Sequence, residues 1–454
     1  MIEQLKNIPA LKLFLFFATI LLLVGVAGAA APEAAFNGTP VSGTAPLTVD
    51  FADESTGATS WAWFFGDESY TQPWTELTVG DGWPGRAGSS MVAMPDGSIV
   101  LMGGIDDLDY TKERCLNETW RSTDYGATWA LMNASSGCPG RYGQSSVVLS
   151  DGSILLMGGL AGYENITMFN DTWQSADYGK TWTQVNTGSG WSARYFFASV
   201  AMPDGTIVLM GGRDESGTLK NDVWQSADNG STWTLVNANA TWSGRSVHTA
   251  VAMPDGSIIL MAGWDDTSAL NDIWRSVDNG ATWTEVNADP GWSARQAPVS
   301  VVMPDDSILL MGGIIDDDHY LNDMWRSTDS GATWTLVNAN PGWPARIQPS
   351  GVAMPDGSIV LMCGWVDDII YNDTWRLRPA GSTDPNPVHT YTAAGNYTAT
   401  LQVCNADGYT RTTRGITVTQ PAPGLPPATI VIGGVVILAL IGGGYLARRW
   451  WIQR

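Results

Sequence analysis

Short apolar runs, separated by turns rich in glycine and aspartate, recur through the middle of the chain. One representative unit has an apolar run at residues 198–202, an Asp204-Gly205 turn and a second apolar run at residues 207–210, which a glycine pair ends. Residues 221–226 and the residues around Trp233 are two further strand-like segments, and an Asp-Asn-Gly turn joins them. Such turns between short aliphatic runs are typical of antiparallel hairpins. Each unit is therefore predicted to form four antiparallel strands.

This unit repeats across residues 80–376 with a period of about 50 residues, which is typical of propeller blades. Three landmarks recur six times: an opening arginine, an aspartate in the first turn and a tryptophan in the third strand. The arginines are Arg86, Arg141, Arg194, Arg245, Arg295 and Arg346; the aspartates are Asp96, Asp151, Asp204, Asp255, Asp305 and Asp356; the tryptophans are Trp120, Trp173, Trp224, Trp274, Trp325 and Trp375. Four-stranded units repeated radially form a β-propeller, so six copies predict six blades.

Two motifs in the unit resemble known propeller families. The glycine pair followed by Asn-Asp-x-Trp resembles kelch and galactose-oxidase-like repeats. The pattern Ser-x-Asp-x-Gly-x-x-Trp resembles the Asp-box of sialidase-like propellers, and its aspartates are Asp124, Asp177, Asp228, Asp278 and Asp329. The second resemblance implies structural roles, in which the aspartate braces its own turn and the tryptophan packs between blades.

The sixth unit leaves the repeat pattern after Trp375 and has no Asp-box. Residues 72–79, which precede the first unit, resemble the sequence of the predicted fourth strand at residues 332–337. We therefore expect this N-terminal strand to complete the sixth blade, which removes open sheet edges and brings both ends of the propeller together.

The two segments that flank the propeller resemble the halves of one PKD domain, an Ig-like β-sandwich of cell-surface proteins. Residues 60–67 read Ser-Trp-Ala-Trp-Phe-Phe-Gly-Asp, and residues 387–391 read Pro-Val-His-Thr-Tyr. Phe64 replaces the aspartate of the family pattern and Glu68 its last glycine, so the turn is expected to differ. The resemblance implies that the propeller is inserted into a loop of the sandwich, an arrangement that close-lying ends tolerate.

The two ends of the chain have the composition of export and membrane signals. Residues 13–26 are apolar and precede Ala27-Gly28-Ala29, which is similar to a signal-peptidase site. Residues 429–446 are apolar and long enough to span a bilayer, and Arg448, Arg449 and Arg454 predict that the tail is cytoplasmic. The location predicted for the large domain is extracellular, on a single-pass membrane protein.

The predicted fold class is all-β: a six-bladed β-propeller inserted into an Ig-like sandwich, with a C-terminal transmembrane helix. The predicted organisation is a signal peptide or N-terminal anchor at 1–29, sandwich halves at 32–68 and 380–420, the propeller at 70–378, a proline-rich stalk at 421–427, the transmembrane helix at 428–447 and a tail at 448–454.

Charge excludes one class of partner. The chain has 23 lysines and arginines against 45 aspartates and glutamates, a formal net charge of −22. Such a surface repels nucleic acid. Nine Asn-x-Ser/Thr sequences are consistent with glycosylation outside the cell, although chance explains several of them. They begin at Asn37, Asn117, Asn133, Asn165, Asn170, Asn229, Asn239, Asn372 and Asn396.

The loops after the glycine pairs are acidic and are expected to share one face with the opening arginines. Their acidic residues are Asp106, Asp107, Asp109, Asp214, Glu215, Asp265, Asp266, Asp316, Asp317, Asp318, Asp367 and Asp368. One interpretation is a Ca²⁺ or ligand face, since carboxylates suit hard cations. The other, which we favour, is a ring of Arg–Asp pairs with solvated loops, because no loop has EF-hand spacing.

The four cysteines leave alternatives open. Cys115 and Cys138 are expected on one face, where they form either an external disulfide or unpaired core residues. Cys363 replaces the first glycine of its pair and is expected to be buried, and Cys404 is expected on a sandwich strand. The other residues that break the repeat are Asp306, Trp264 and Trp365.

The predicted function is non-catalytic: a membrane-anchored binding, adhesion or envelope-structural protein with protein or carbohydrate ligands, and the PKD resemblance suggests an archaeal envelope. The alternative is a sialidase-like glycosidase or a lectin. An arginine in every blade argues for architecture rather than for a sialidase site, and no Tyr/Glu pair stands apart from the repeat. A copper oxidase is disfavoured because His248, His319 and His389 are the only histidines.

Overall fold

The computed structural model describes residues 30–79, 82–106, 115–162, 165–379, 381–405 and 407–421. These residues form strands and turns without a helix, so no described helix is long and apolar enough to cross a membrane. The predicted signal peptide or anchor, the transmembrane segment and the tail lie outside the described residues.

The strands follow the chain in this order. The first flank contains β1 (Phe36–Thr39), β2 (Ser42–Thr44), β3 (Leu47–Asp53), β4 (Ser60–Phe64) and β5 (Thr75–Val79). Blade one contains β6 (Ser90–Ala93), β7 (Ile99–Met102), β8 (Thr119–Ser122) and β9 (Ala130–Asn133). Blade two contains β10 (Ser145–Val148), β11 (Ile154–Met157), β12 (Leu160–Ala161), β13 (Thr167–Met168), β14 (Thr172–Ser175) and β15 (Thr183–Asn186). Blade three contains β16 (Arg194–Tyr195), β17 (Ala198–Ala201), β18 (Ile207–Met210), β19 (Arg213–Asp214), β20 (Val223–Ser226) and β21 (Thr234–Asn237).

Blade four contains β22 (Thr249–Ala252), β23 (Ile258–Met261), β24 (Ile273–Ser276) and β25 (Thr284–Asn287). Blade five contains β26 (Val299–Val302), β27 (Ile308–Met311), β28 (Met324–Ser327) and β29 (Thr335–Asn338). Blade six contains β30 (Ser350–Ala353), β31 (Ile359–Met362), β32 (Trp365–Val366), β33 (Ile369–Ile370) and β34 (Asp373–Leu377). The second flank contains β35 (Val388–Tyr391), β36 (Gly395–Asn405) and β37 (Gly408–Thr419).

Each blade is a four-stranded antiparallel sheet, as the repeat predicted. In blade three the order is β17-β18-β20-β21, and the fourth strand starts at Thr234, one residue after the tryptophan on which it was expected to centre. The first strands of the six blades lie side by side around a central axis. The second strands are buried on both faces, because neighbouring blades cover them, and this explains their uninterrupted apolar runs.

The ring is closed by the strand that precedes blade one. β5 pairs antiparallel with β34, so that Glu76 lies opposite Trp375, and the predicted closure is confirmed. Trp74 is buried and its ring lies 6.3 Å from that of Trp343 in an edge-to-face arrangement. The same arrangement joins Trp233 to Trp191 at 6.2 Å in blade three. The N-terminal strand therefore supplies both the backbone pairing and the tryptophan that the sixth repeat lacks.

The two flanks combine into a sandwich of two sheets. One sheet has the order β1-β3-β35 and the other the order β2-β37-β36-β4, so each contains strands from both sides of the propeller. Trp63 and Phe51 meet in the core between the sheets, with ring centroids 5.3 Å apart. Glu68 closes the turn after β4, because its carboxylate accepts hydrogen bonds from the backbone N–H groups of Phe65 and Gly66. Burial raises the pKa of this carboxyl group.

The two ends of the propeller are different surfaces. The turn face carries the hairpins between the first and second strands and between the third and fourth strands, such as residues 202–206 and 227–233. The loop face carries the longer connections, such as residues 211–222, and the segments that contain the opening arginines. The sandwich lies on the turn face: Phe64 and Tyr70 share a buried cluster with Met303 and Leu309 of blade five. The described part of the sandwich leaves the loop face uncovered.

Candidate functional site

The opening arginine of every blade is buried and bound to a carboxylate of its own blade. Arg194 donates through Nη1 and Nη2 to the two carboxylate oxygens of Asp222, at 2.6 and 2.9 Å, and through Nη1 to the carbonyl of Gly211 at 2.9 Å. The same carboxylate accepts the indole N–H of Trp224 at 2.8 Å. The equivalent pairs are Arg86–Glu118, Arg141–Asp171, Arg245–Asp272, Arg295–Asp323 and Arg346–Asp373.

Five of these pairs have the bidentate geometry that makes Arg–carboxylate bonds strong, whereas Arg86 meets Glu118 through Nη2. Burial raises the pKa of Asp222, but the hydrogen bonds and charge of Arg194 outweigh it and hold that pKa below its ordinary value. The pKa of Asp272 is lowered in the same way by Arg245. Guanidinium groups that are already paired and buried are poorly placed to hold the carboxylate of a ligand, which favours an architectural role for the arginines.

The carboxylates that pair with the arginines are not those of the acidic loops. They precede the third-strand tryptophan by two residues, within the Asn-Asp-x-Trp motif. The sequence analysis did not predict that they pair with the arginines. A signal was present: an acidic residue recurs at this position in all six units, as often as the arginine itself.

The acidic loops themselves are only partly held by bonds of their own. Asp214 accepts hydrogen bonds from Ser216 and Thr218 and lies 3.3 Å from Lys220. Asp265 accepts from the N–H groups of Thr267 and Ser268. Asp266 forms an ion pair with Arg213, and Asp316 contacts His319 and accepts a hydrogen bond from the N–H of Asp318.

No group of three acidic, histidine or cysteine side chains suited to a metal ion occurs among the described residues. Asp106 is half-buried, and Asp107 and Asp109 lie outside the described residues. Glu215, Asp317, Asp318, Asp367 and Asp368 are exposed. The described loops therefore offer no geometric support for the Ca²⁺ interpretation, which stays a prediction.

A ring of backbone hydrogen bonds lines the loop-face end of the channel. The residue two positions after each opening arginine has a left-handed backbone, with φ between 49° and 64°. In five of the six blades its N–H donates to the carbonyl of the equivalent residue in the preceding blade, as from Val247 to Phe196 at 2.9 Å. The six residues are Gly88, Gly143, Phe196, Val247, Ala297 and Gln348. A β-branched residue such as Val247 is rarely left-handed, so this ring keeps a strained conformation beside an uncovered surface.

Aromatic and aliphatic side chains surround this ring. Tyr142 and Phe196 meet edge to face at 6.1 Å, and Tyr195 lies 5.0 Å from Phe196. On the opposite side, Ile314 and Ile347 belong to an apolar cluster that is separate from the blade cores. The centre of the loop face is therefore apolar, and acidic loops surround it.

The turn face carries the Asp-box-like turns. In blade three, Asp228 accepts hydrogen bonds from the N–H and hydroxyl groups of Thr232, at 2.8 and 2.6 Å, and from the hydroxyl of Ser226. Trp233 donates its indole N–H to the carbonyl of Gly230 at 3.2 Å. Burial raises the pKa of Asp228, but these hydrogen bonds together outweigh it and lower the pKa overall. The same bonds recur at Asp124, Asp177, Asp278 and Asp329. Each aspartate braces its own turn, which is a structural role.

A cavity of about 690 Å³ occupies the turn-face end of the channel. Met-Pro turns of the blades line its wall, and Gln402, Tyr409 and Arg411 of the sandwich lie over it. Gln402 donates to the carbonyl of Pro355, and Arg411 donates to that of Pro304. The sandwich thus lines part of the channel mouth at this end.

The three histidines occupy three separate environments. His248 is buried against Trp242, and burial lowers its pKa to about 3, so this imidazole is neutral at pH 7. His319 is exposed in a loop of blade five. His389 stacks on Phe65 in the sandwich, with ring centroids 4.1 Å apart. The described structure does not bring them together as copper ligands.

The cysteines agree in part with their expected positions. Cys363 is completely buried, and Cys404 lies on β36. Cys138 is a buried thiol in the structure, and burial raises its pKa to about 12. Its segment adjoins that of Cys115, since Arg141 donates its N–H to the carbonyl of Leu116. The Cys115–Cys138 disulfide is not formed here and stays a prediction.

The Asn-x-Ser/Thr sequences differ in exposure. The side-chain amides of Asn133 and Asn170 donate hydrogen bonds to the backbone carbonyls of Lys180 and Trp191. Attachment of a glycan to either asparagine would break its bond. Asn37, Asn165, Asn239 and Asn396 are exposed. Asn117, Asn229 and Asn372 are half-buried. Glycosylation stays a prediction for all nine.

Comparison with known families gives one match. The chain matches the KLHDC2/KLHL20/DRC7 Kelch-repeats domain over residues 54–263 and 199–384. No curated protein matches the chain. The two overlapping matches span residues 54–384, well over half of the 454 residues, and they agree with the repeat of glycine pairs and Asn-Asp-x-Trp motifs. This chain therefore belongs to the kelch-repeat family of β-propellers.

Proposed function

We propose that this protein is a non-catalytic binding protein that holds a protein partner on its loop face. Kelch repeats commonly mediate protein–protein binding. The observation that carries the proposal is the position of the sandwich. It occupies the turn face through Gln402 and Arg411, and the opposite face remains uncovered by the described residues.

The loop face has the properties of a protein-binding surface. Its centre is apolar and contains aromatic side chains such as Tyr142, Tyr195 and Phe196, which are only half-buried. Aromatic residues are enriched where interfaces contribute most binding energy. The backbone ring below them holds this centre in place, which lowers the entropy that binding must overcome.

We further propose that the sandwich is of the PKD type and presents the propeller outside a membrane. β37 starts at Gly408, beside the propeller, and runs for 12 residues to Thr419. At roughly 3.3 Å per residue, this strand alone reaches about 40 Å from the propeller. The apolar segment at residues 429–446 follows the far end. A membrane anchor there would point the loop face away from the bilayer.

The carbohydrate-active alternative receives less support. A sialidase-like site needs arginines that are free to meet a carboxylate, and the six repeated arginines are buried in ion pairs. The aromatic centre of the loop face is compatible with a lectin, so glycan adducts are one outcome of the test below.

Site-specific photo-crosslinking in the cells that express the full chain tests the proposal. A photoreactive amino acid would replace Tyr142 or Tyr195 on the loop face, or Ala227 on the turn face of the same blade as Tyr195. Ala227 is the matched control because it is exposed at the opposite end of that blade. We expect the same polypeptide adduct from both tyrosine positions and none from Ala227.

The adducts are identified by mass spectrometry. Adducts that form at Ala227 but not at the tyrosines would contradict a loop-face function. Adducts with glycans at the tyrosines would replace the protein partner by a carbohydrate ligand. Loss of the C-terminal segment from 428 onwards should release the chain from the membrane fraction, and retention would contradict the proposed anchor.

A further inference from the structure

An apolar cluster lies on the loop face between blades five and six. Ile314 and Ile347 are buried in it, and Val247, Tyr320 and Trp365 are half-buried around them. Ile347 pairs with Trp365 in an isolated bridge, and the hydroxyl of Tyr320 accepts a hydrogen bond from the N–H of Asp367 at 3.4 Å. These bonds join the loops of the two blades into one surface.

The hairpin of blade six extends this surface into solvent. Its strands pair Val366 with Ile369, and Ile369 is 57% exposed although it is a large apolar residue. Exposed apolar side chains next to a half-buried cluster mark interaction sites more often than isolated ones do. The hairpin pairs Trp365 with Ile370, so Ile369 lies on the opposite face from Trp365, and we name Val247, Tyr320 and Trp365 the blade 5/6 patch.

Uncompensated carboxylates border the blade 5/6 patch. Asp317 and Asp318 lie on the loop of blade five, and Asp367 and Asp368 lie at the tip of the hairpin of blade six. All four are exposed, and no described residue forms an ion pair with them. The local charge of the border is therefore strongly negative.

The corresponding loops of blades three and four differ. Arg213 pairs with Asp266 across the two blades, and Lys220 lies 3.3 Å from Asp214. In the loop of blade five His319 pairs with Asp316, and no described lysine or arginine pairs with Asp317, Asp318, Asp367 or Asp368. Negative charge without a partner is thus concentrated beside the half-buried blade 5/6 patch, and the overall acidity of the chain does not explain this local asymmetry.

We infer that the blade 5/6 patch docks a basic polypeptide segment that carries an apolar or aromatic side chain between its lysines or arginines. The inference rests on the proposed loop-face function and names the chemistry of the partner. The apolar side chain of the partner would contact Tyr320 and Trp365, and its cations would meet the four bordering carboxylates. Complementary charge around an apolar centre supplies both attraction and register.

Fluorescence anisotropy with the purified full chain tests whether the blade 5/6 patch binds such a segment. The probe is a short fluorescein-labelled peptide of lysine and glycine around one tryptophan. One comparison peptide has serine in place of the tryptophan, and another has glutamate in place of each lysine. We expect saturable binding of the probe that weakens with added salt, and binding at least about tenfold weaker for both comparison peptides.

Variants locate the site. The double variant Asp367→Lys/Asp368→Lys should weaken binding of the probe by at least about tenfold, since it reverses charge at the border. Glu215→Lys/Glu285→Lys is the control, because both glutamates are exposed, lie in blades three and four and give the same change in net charge. It should change the affinity by less than about twofold. Trp365→Ser tests the apolar contact separately, and melting temperatures verify that each variant is folded.

Three results would overturn the inference: no saturable binding of the probe, equal weakening by the two double variants, or equal affinity for the peptide without tryptophan. If these occur while Tyr142 and Tyr195 still crosslink to a polypeptide, the loop-face function stands and the basic partner is wrong. If crosslinks are also absent, the proposed function fails as well.

Discussion

Arg411 of the sandwich forms an ion pair with Asp306 in the first turn of blade five. Glycine occupies the equivalent position in the other five blades, at Gly97, Gly152, Gly205, Gly256 and Gly357, with φ between 77° and 85°. Asp306 keeps a left-handed backbone, with φ of 65°, although it has a side chain. One of the few positions that break the repeat is thus a position where the sandwich contacts the propeller.

Replacing Arg411 and replacing Asp306 should change the free energy of unfolding by different amounts. Arg411→Ala should lower the free energy of unfolding by about 1 kcal/mol, because it removes the ion pair and the hydrogen bond to Pro304. Asp306→Gly should change it by less than about 0.5 kcal/mol, because relief of the left-handed strain offsets the lost ion pair. Thermal denaturation measures both. A larger loss for Asp306→Gly than for Arg411→Ala would contradict this interpretation.

Closure of the ring should depend on Trp74. Its side chain is 5% exposed and packs against Trp343. Trp74→Ala should lower the free energy of unfolding by about 3–5 kcal/mol, through loss of buried area and the cavity left behind. Leu336→Ala, on the exposed outer strand of blade five, is the control and should cost less than about 0.5 kcal/mol. Similar losses for the two variants would show that β5 contributes little to closure.

The buried arginines should contribute much more to the free energy of unfolding than the exposed arginines do. Arg194→Ala should lower the free energy of unfolding by about 3–5 kcal/mol, because it leaves the carboxylate of Asp222 without its partner in a buried site. Arg213→Ala in the same blade removes an exposed pair and should cost less than about 1 kcal/mol. Chemical denaturation compares them, and equal costs would argue against the proposed architectural role.

Acid should destabilise the propeller through these carboxylates. The pKa values of Asp222, Asp228 and Asp272 are lowered in the folded protein. A lowered pKa stabilises the folded state above the ordinary aspartate value of about 3.9, and this stabilisation is lost as pH falls through the folded pKa. The melting temperature should therefore decline below about pH 4. Asp222→Asn should make that decline shallower; an unchanged slope would exclude Asp222 as a contributor.

Two buried thiols should resist modification. Burial raises the pKa of Cys363 and that of Cys404 to about 11, so few thiolates are present at pH 8. We expect iodoacetamide to label neither residue in the folded chain and both after denaturation, as measured by peptide mass spectrometry. Rapid labelling of Cys363 in the folded chain would contradict its burial. The same experiment without reductant tests the Cys115–Cys138 disulfide, which would protect both residues from the reagent.

The order of the strands, the number of blades and the closing strand follow from local features of the chain. Glycine and aspartate set the turns at fixed places in each unit, and uninterrupted apolar runs mark the second strands that lie between blades. Repetition multiplies each of these signals six times, so the kelch-type repeat could be predicted without any long-range contact. The missing fourth strand of blade six was visible because the pattern stops after Trp375.

Other relationships depended on residues that are distant in sequence. The sequence shows both Arg194 and Asp222, but only folding decides that Asp222, rather than Asp214, meets the guanidinium group, because the choice depends on which carboxylate faces the blade interior. Tertiary structure likewise decides that the sandwich covers the turn face and that blades five and six hold exposed carboxylates beside Trp365. The repeat determines each blade almost alone, whereas these surfaces form only where different blades and the two flanks meet.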